Sequence, residues 1–327
     1  MKRGLLYVMI LIQFILVIIL GYGIYRKKSV NTQKVSVAPQ NSENLIHSKN
    51  TKLKYYTEPR ASTIITDKVS WLPFISEYSI NRDSLNELKN YKITRQPSTY
   101  RIITMGDSFT YGLYVNTYDN WTEIIERRLN KELICSNYQK IEVINLGVPG
   151  YDIEYAVERF KIRGIKYNPN LIIWFLKDDD VNMINEFFIP KLQEYNKKNS
   201  INTNSQDYHF NGDNSYPIHS KLGAKLIEEI GKVRFIEYQK RILYKFNDLN
   251  KKNGVIIMTF PFTNGEYQEI LRDFVDSGTY YYFNKLTNIY KIGGLSYFDG
   301  HPNKEGHQII AEDVYDYIVD NEIIPCD

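Results

Sequence analysis

Cysteine is scarce in this chain, and neither sign of charge is in large excess. Two cysteines among 327 residues, Cys135 and Cys326, exclude a disulfide-dense scaffold and a cysteine-rich zinc module. The formal net charge is +3, and residues 1–28 hold five basic and no acidic side chains, which leaves 36 basic and 38 acidic side chains elsewhere. A near-neutral body argues against a nucleic-acid-binding protein, whose affinity comes largely from basic side chains on phosphates.

Motifs for cofactors and metals are also missing from the sequence. It contains no glycine-rich phosphate loop followed by a lysine. Its histidines lack the paired spacing of metalloproteases, and they are His47, His209, His219, His301 and His307. We therefore expect no cofactor and no bound metal.

One long apolar run stands at the N-terminus. Residues 4–25 contain one amide side chain, Gln13, and no charge, and about 20 such residues suffice for a helix to cross a bilayer. Basic residues flank the run on both sides, and it does not end in the small residues of a signal-peptide cleavage site. The pattern predicts an uncleaved, single-pass membrane anchor over residues 1–28, and the balanced flanking charge leaves its orientation open.

The residues after the anchor divide into three parts. Residues 29–60 are polar and lack periodicity, which predicts an unstructured tether. Residues 61–97 are expected to form a lead-in segment that packs on the following domain. That domain spans residues 98–327, and its polar stretch at 182–220 is interpreted as an insertion over one sheet edge and as a candidate lid.

Short apolar strands alternate with helices in the domain. Strands are predicted by the β-branched or apolar runs 100–105, 141–146, 171–176 and 255–260. Helices are predicted at 121–133, 153–164, 221–253 and 304–321. This alternation indicates an α/β fold, a three-layer α/β/α sandwich with a mainly parallel central sheet.

Chemically capable side chains follow the strand ends, where open parallel sheets bind ligands. Ser108 follows the first strand, Gly147 the second, and the acidic triplet 178–180 the third, while Asp299 and His301 precede the last helix. A serine, a histidine and an acid are the parts for nucleophilic acyl transfer. Each also has an ordinary interpretation when it is taken alone. Ser108 could be a turn or helix-cap residue, His301 a loop histidine and Gly147 part of a tight turn. Asp299 could cap the last helix, and the acidic triplet could be a solvated loop or a weak cation site.

Their order resembles the SGNH (GDSL-like) hydrolase family over roughly residues 98–320. The segments MGDSFTYG (105–112), NLGVPGY (145–151) and DGHPNKEGH (299–307) are similar to its first, second and last blocks. The resemblance implies a flavodoxin-like SGNH fold and a catalytic set of Ser108, His301 and Asp299. It also implies an oxyanion hole formed by the amides of Ser108 and Gly147 and by the side chain at position 179.

Two positions depart from the family pattern. The third block commonly supplies an asparagine side chain to the oxyanion, and Asp179 stands in its place. An ionised carboxylate cannot donate, so Asp179 is protonated, or has another role, or the hole uses the Ser108 and Gly147 amides alone. In addition, Asp299 and His301 are two positions apart in the sequence, whereas the corresponding aspartate and histidine of the family are commonly three positions apart.

The leading hypothesis is a membrane-anchored, extracytoplasmic serine esterase for O-acyl, above all O-acetyl, esters of cell-surface carbohydrate or lipid. Its expected partners are a small acyl ester or O-acylated glycan and the membrane, through residues 4–25, with no nucleic acid. An O-acyltransferase to a polysaccharide hydroxyl is the first alternative, and a non-catalytic glycan-binding or assembly protein is the second. Whether Cys135 and Cys326 pair is open, because sequence separation does not give distance.

Overall fold

The computed structural model describes six stretches of the chain, and they are residues 44–69, 71–199, 215–250, 252–261, 265–278 and 280–326, with the main chain alone at 215–220 and 265–267. The predicted anchor at residues 4–25 lies outside them. Within these stretches, no helix has both the length and the apolar character needed to span a bilayer.

The strands fall into a central sheet and two small hairpin-like pairs. They are β1 (Leu45–His47), β2 (Thr57–Pro59), β3 (Thr63–Asp67), β4 (Ser76–Ile80), β5 (Thr99–Met105), β6 (Lys140–Asn145), β7 (Leu171–Phe175), β8 (Gly254–Met258) and β9 (Tyr281–Phe283). The central sheet has the order β6-β5-β7-β8-β9, and all its neighbours are parallel. The prediction of an α/β fold with a mainly parallel sheet is confirmed. Strand β9 was not predicted, because three residues are too short to show a pattern.

Helices connect these strands and cover the sheet. The α-helices are α1 (Ser108–Tyr111), α2 (Trp121–Glu132), α3 (Ile153–Arg159), α4 (Asp178–Asn182), α5 (Asn185–Lys198), α6 (Ser215–Ile230), α7 (Lys232–Leu249), α8 (Gly265–Gly278) and α9 (Lys304–Asp320). Helix α3 continues directly into a π-helical turn, Phe160–Gly164. Parallel pairing requires such crossovers, which explains why strands and helices alternate along the sequence.

The core lies on both faces of the sheet. On one face, Ile102 of β5 packs in a cluster with Trp121 of α2 and Val314 of α9. On the other face, Ile103 packs in a cluster with Phe246 of α7. Successive strand residues point to opposite faces, so a continuously apolar strand is buried on both. The layers are therefore helix, sheet and helix.

The region between β7 and β8 is more helical than its polar sequence suggests. Helix α5 occupies the first part of the predicted insertion 182–220. The single helix predicted over 221–253 is instead two helices, α6 and α7, which are separated at Gly231. Only one residue, Gly231, separates the two helices, and the apolar periodicity continues on both sides of it. A prediction based on periodicity over the whole segment therefore does not detect the break.

Residues 44–60 are folded, which corrects the prediction of an unstructured tether over 29–60. Strands β1 and β2 pair antiparallel there. Tyr56 and Glu58 are fully buried, at 0% exposure. The earlier part of the predicted tether lies outside the described residues.

The partners of Glu58 explain why this segment folds. One carboxylate oxygen lies 2.8 Å from Arg159 Nη1, and the other lies 2.7 Å from Arg163 Nη2. A buried charge needs such pairing. The arginines follow about a hundred residues later, so a local reading of a polar segment does not find them.

The last part of the lead-in segment 61–97, residues 75–97, contacts the strand ends of the sheet. The Asn86 side chain donates to the Tyr111 carbonyl at 2.8 Å, and Glu87 Oε1 accepts from the Asn145 amide at 2.6 Å. The first contact therefore holds the main chain that follows β5, and the second holds the last residue of β6.

Residues 68–74 belong to a unit separate from the one that contains the sheet. In this short segment the Leu72 amide donates to the Val69 carbonyl at 3.2 Å. Elsewhere, a disulfide joins Cys135, which follows α2, to Cys326 near the C-terminus. This bond settles the pairing that the sequence left open.

Candidate active site

Ser108 is the first residue of helix α1, directly beyond the carboxyl end of β5. Asp107 caps this helix, because its Oδ1 accepts the Phe109 amide at 2.9 Å. Ser108 is 6% exposed. The short turn from strand to helix thus holds the serine at the edge of the sheet where ligands bind.

His301 and Asp299 lie in a tight loop before α9. The loop is closed by a hydrogen bond from the Tyr297 amide to the His301 carbonyl at 2.7 Å. Gly300, between the two residues, has φ +91°, a left-handed conformation that favours glycine. Asn303 then caps α9 by accepting the Gly306 amide at 2.9 Å. Local geometry therefore fixes the direction of both side chains.

The structure brings Ser108, His301 and Asp299 together. His301 Nε2 lies 2.9 Å from Ser108 Oγ, and His301 Nδ1 lies 2.9 Å from Asp299 Oδ2. Asp299 Oδ1 also accepts the His301 amide at 3.1 Å. The short spacing of these two residues is therefore compatible with a hydrogen bond to the imidazole, because Gly300 allows the turn.

Aromatic rings surround the imidazole. The ring centres of Phe109 and Tyr114 each lie 5.3 Å from that of His301. Tyr297 donates from its hydroxyl to the Tyr114 carbonyl at 3.1 Å. These contacts restrict rotation of His301, which keeps both ring nitrogens on their partners.

Gly147 packs closely beneath the serine helix. A Cβ atom at this position would lie 2.4 Å from the Tyr111 amide nitrogen, so only glycine fits. Its own amide donates to Asn145 Oδ1 at 2.8 Å. The amide that was predicted to bind an oxyanion therefore already has an intramolecular partner.

Gly150 lies three residues after Gly147, in an exposed turn. Its amide has no hydrogen-bond partner among the described residues. Sequence reasoning did not select Gly150, and a second glycine in the loop that carries Gly147 was the signal that could have identified it.

Asp179 faces a lysine. Lys177 Nζ lies 2.9 Å from Asp179 Oδ1, 2.6 Å from Asp107 Oδ2 and 3.2 Å from Asp180 Oδ1. The three carboxylates could together hold a cation, since one oxygen of each lies within 4.8 Å of the others. The ammonium group of Lys177 occupies that position between them.

These contacts shift the pKa values of Asp107 and Asp180 in opposite directions. Although burial opposes it, the charge of Lys177 holds the pKa of Asp107 below its usual value. Burial and the charge of Asp107 raise the pKa of Asp180 well above its usual value. Despite its burial, the neighbouring carboxylates raise the pKa of Lys177, which remains an ammonium ion.

The site residues lie within a region that matches a known protein family. A family model described as GDSL-like lipase/acylhydrolase matches residues 102–314, which is more than half of the 327 residues. The chain belongs to this family. It is accordingly an enzyme of the serine hydrolase type, which disfavours the non-catalytic alternative. A search of curated proteins found no match.

Several solved structures are similar to this GDSL-like chain. An esterase, EstA, from Pseudoalteromonas sp. is 15% identical, with a TM-score of 0.43 over 68% of this chain and 98% of its own. A lipase/acylhydrolase from Enterococcus faecalis is 14% identical, with a TM-score of 0.42 over 68% and 96%. An acetylxylan esterase, Axe2, from Geobacillus stearothermophilus is 14% identical, with a TM-score of 0.41 over 68% and 94%.

A second histidine lies behind the candidate site of this GDSL-like enzyme. His307, on α9, is 0% exposed, and its Nδ1 accepts the Trp121 amide at 3.3 Å. Its Nε2 has no hydrogen-bond partner among the described residues. Burial, with a smaller contribution from the nearby His301, lowers the pKa of His307 to about 3. His307 is therefore uncharged at neutral pH.

Proposed function

We propose that this chain is a serine esterase that removes O-acyl groups, acetyl above all, from cell-surface carbohydrate or lipid through an acyl-serine intermediate. The observation that carries the proposal is the continuous hydrogen-bond chain from Ser108 Oγ through His301 to Asp299. A nucleophile, a base and a group that orients the base are the elements that covalent acyl transfer requires.

In the first half-reaction, Ser108 Oγ attacks the ester carbonyl carbon, and its proton passes to His301 Nε2. The carbonyl electron pair moves to oxygen and forms the oxyanion. Collapse of this intermediate breaks the ester C–O bond, and the leaving alkoxide takes the proton from His301 Nε2. Asp299, at 2.9 Å from Nδ1, stabilises the imidazolium that exists between the two transfers.

Water completes the cycle. His301 Nε2 removes a proton from water, whose oxygen attacks the acyl-serine carbonyl. The second oxyanion collapses, the bond between carbonyl carbon and Ser108 Oγ breaks, and the serine recovers a proton from His301. A carboxylic acid is released, and the enzyme returns to its starting protonation state.

Main-chain amides are the proposed oxyanion donors. The Ser108 amide, at the start of α1, and the Gly150 amide have no hydrogen-bond partner among the described residues. The Gly147 amide would first have to leave Asn145 Oδ1. Asp179 is paired with Lys177 and is not assigned as a donor. Each such donor is worth on the order of a hundredfold in rate.

Exposed aromatic rings beside the loop support a carbohydrate substrate. Phe298 is 83% exposed and directly precedes Asp299, and Tyr290 is 45% exposed. Tyr290 lies beside Gly300, because a Cβ atom there would be 3.4 Å from Tyr290 Cε1. Open aromatic faces can pack against the C–H face of a sugar ring, with the hydroxyl groups left in water.

The proposed location is the outer side of a membrane, with residues 4–25 as a single-pass anchor. The apolar run and its basic flanks support the anchor. The disulfide between Cys135 and Cys326 supports an oxidising, extracytoplasmic compartment. The test is alkaline extraction of membranes from cells that make the full chain, followed by protease treatment of intact cells. Release by extraction, or protection from protease, would contradict this location.

The nucleophile can be tested without knowledge of the substrate. The full chain in membranes is treated with a fluorophosphonate probe, beside the variants Ser108→Ala and Ser277→Ala. Ser277, on α8, is the matched control, because its hydroxyl donates to the Phe274 carbonyl at 2.7 Å and accepts from the Asn247 side chain at 3.1 Å, with no histidine among these partners. Labelling should disappear in Ser108→Ala alone. Absence of labelling in the folded parent chain would overturn the proposal.

The substrate class is tested next by release of free acid. Acetylated polysaccharide is compared with simple acetate and long-chain esters, at matched concentrations and with and without a glycan acceptor. We expect acetate from the polysaccharide, at a rate independent of the acceptor. Acylated acceptor formed faster than free acid would instead identify an acyltransferase.

A further inference from the structure

The Ser108 hydroxyl has two competing acceptors. Ser108 Oγ lies 2.9 Å from His301 Nε2 and 3.1 Å from Asp107 Oδ2. A hydroxyl carries one hydrogen, so it can donate to only one of them at a time. Donation to His301 prepares the serine for attack, whereas donation to Asp107 does not.

His301 is arranged to accept that hydrogen. Its Nδ1 faces Asp299 Oδ2 at 2.9 Å, and a carboxylate at that distance favours the tautomer with hydrogen on Nδ1. Nε2 is then an acceptor. The outcome of the competition therefore depends on how strongly the charged Asp107 oxygen attracts the same hydrogen.

Lys177 acts on that oxygen directly. Its Nζ lies 2.6 Å from Asp107 Oδ2, the same atom that Ser108 approaches. The Lys177 side chain is only 12% exposed and that of Asp107 is 8% exposed, so solvent screens this pair weakly. Because charge-assisted hydrogen bonds are strong, the ammonium reduces the ability of Oδ2 to accept a second hydrogen.

We propose that Lys177 is a positioning residue that neutralises Asp107 Oδ2 and so directs the Ser108 hydrogen to His301 Nε2. The inference rests on the proposed role of Ser108 as nucleophile. It also gives a role to the buried lysine that the sequence did not assign.

The test measures the second-order rate of fluorophosphonate labelling for the full chain and four variants. Lys177→Met removes the charge, and Lys177→Arg keeps it. The double variant Asp107→Asn with Lys177→Met removes both the charge and the competing carboxylate, and asparagine retains an oxygen that can cap α1. Lys166→Met is the matched control, because Lys166 pairs with Asp83 at 2.6 Å, away from the serine. Thermal unfolding verifies that each variant is folded.

We expect Lys177→Met to label on the order of 10- to 100-fold more slowly, the range that corresponds to a hydrogen bond to a charged group. Lys177→Arg should stay within a few-fold of the parent, and the double variant should recover most of the loss. Recovery of the labelling rate in the double variant would distinguish a positioning role of Lys177 from a structural one. The Asp107→Asn substitution removes the competing carboxylate, but it does not restore any contact that the lysine made.

Three outcomes would overturn the inference. They are unchanged labelling in folded Lys177→Met, equal loss in folded Lys177→Arg, and no recovery in the folded double variant. If Lys177→Met does not fold, the double variant decides, because it should label like the parent. An unlabelled parent chain is a different result, since it overturns the nucleophile itself.

Discussion

Asp299 holds His301 at two points. Its Oδ1 accepts the main-chain amide of His301 at 3.1 Å, and its Oδ2 lies 2.9 Å from the ring Nδ1. One carboxylate therefore fixes both the position of the histidine backbone and the orientation and tautomer of its ring. The two-residue spacing makes this double contact possible, because the side chain of an aspartate reaches the amide two residues later.

Replacement of Asp299 by asparagine should separate these two contacts. Asparagine can still accept the His301 amide, but it no longer stabilises the imidazolium. We expect kcat/KM for a soluble acetate ester to fall on the order of ten-thousandfold, with little change in the melting temperature. Asp316→Asn is the control, since that carboxylate is exposed and lies 3.8 Å from Arg128. A loss below tenfold would show that Asp299 does not act on the ring.

Substitution of Gly147 by alanine should damage both stability and activity. The added Cβ would lie 2.4 Å from the Tyr111 amide, and it would displace the serine helix or the loop that carries Gly147. Overpacking of this kind costs about 1–3 kcal/mol of unfolding free energy. Urea denaturation and ester hydrolysis measure the two effects. Gly223→Ala, inside helix α6 and with no atom within 4 Å of the new Cβ, should leave ester hydrolysis unchanged and raise the unfolding free energy by up to about 1 kcal/mol, because alanine favours a helix.

Glu58→Gln should destabilise the fold. The variant leaves the buried Arg159 without its ionic partner, and the Arg159 side chain is 0% exposed. Removal of one member of a buried pair costs about 3–5 kcal/mol. Glu132→Gln breaks a surface pair with Arg128 and should change the unfolding free energy by less than about 1 kcal/mol. Similar effects of the two substitutions would contradict the structural role of the segment around Glu58.

His307 should make the protein less stable in acid. Its pKa is about 3 in the folded state, and the ordinary histidine value is about 6.5. Between these values the unfolded chain binds a proton that the folded chain does not, so stability falls as the pH decreases, by up to about 1.4 kcal/mol per pH unit.

His307→Asn removes this titration, and its side-chain oxygen can still accept the Trp121 amide. Urea denaturation at pH 6.5 and 5 should show a shallower loss in the variant than in the parent. His47→Asn, at the exposed end of strand β1, is the matched substitution control. Equal slopes in parent and His307→Asn would refute the prediction.

The sequence was sufficient for the parts of the fold that depend on local patterns. Four central strands and the helices α2 and α9 were predicted to within one or two residues, because each carries a continuous or periodic apolar pattern. The motifs also selected Ser108, Asp299 and His301, which the structure places in one hydrogen-bond chain.

Features that depend on distant partners were not predictable in this way. The fold of residues 44–60 requires Glu58 to meet arginines far along the chain. Lys177 meets Asp107 across 70 residues, and no motif links them. The partner of the Gly147 amide likewise depends on the rotamer of Asn145, which a sequence does not specify.

The Cys135–Cys326 bond gives the covalent chain the form of a lariat. Its closure spans a sequence separation of 191 residues, so His301 and Asp299 lie on the ring, while Ser108 lies on the tail. A single cut of the main chain within the ring leaves one covalent molecule, in which nucleophile and base remain tethered. A protease that nicks the ring therefore cannot release the two from each other until a reductant opens the bond.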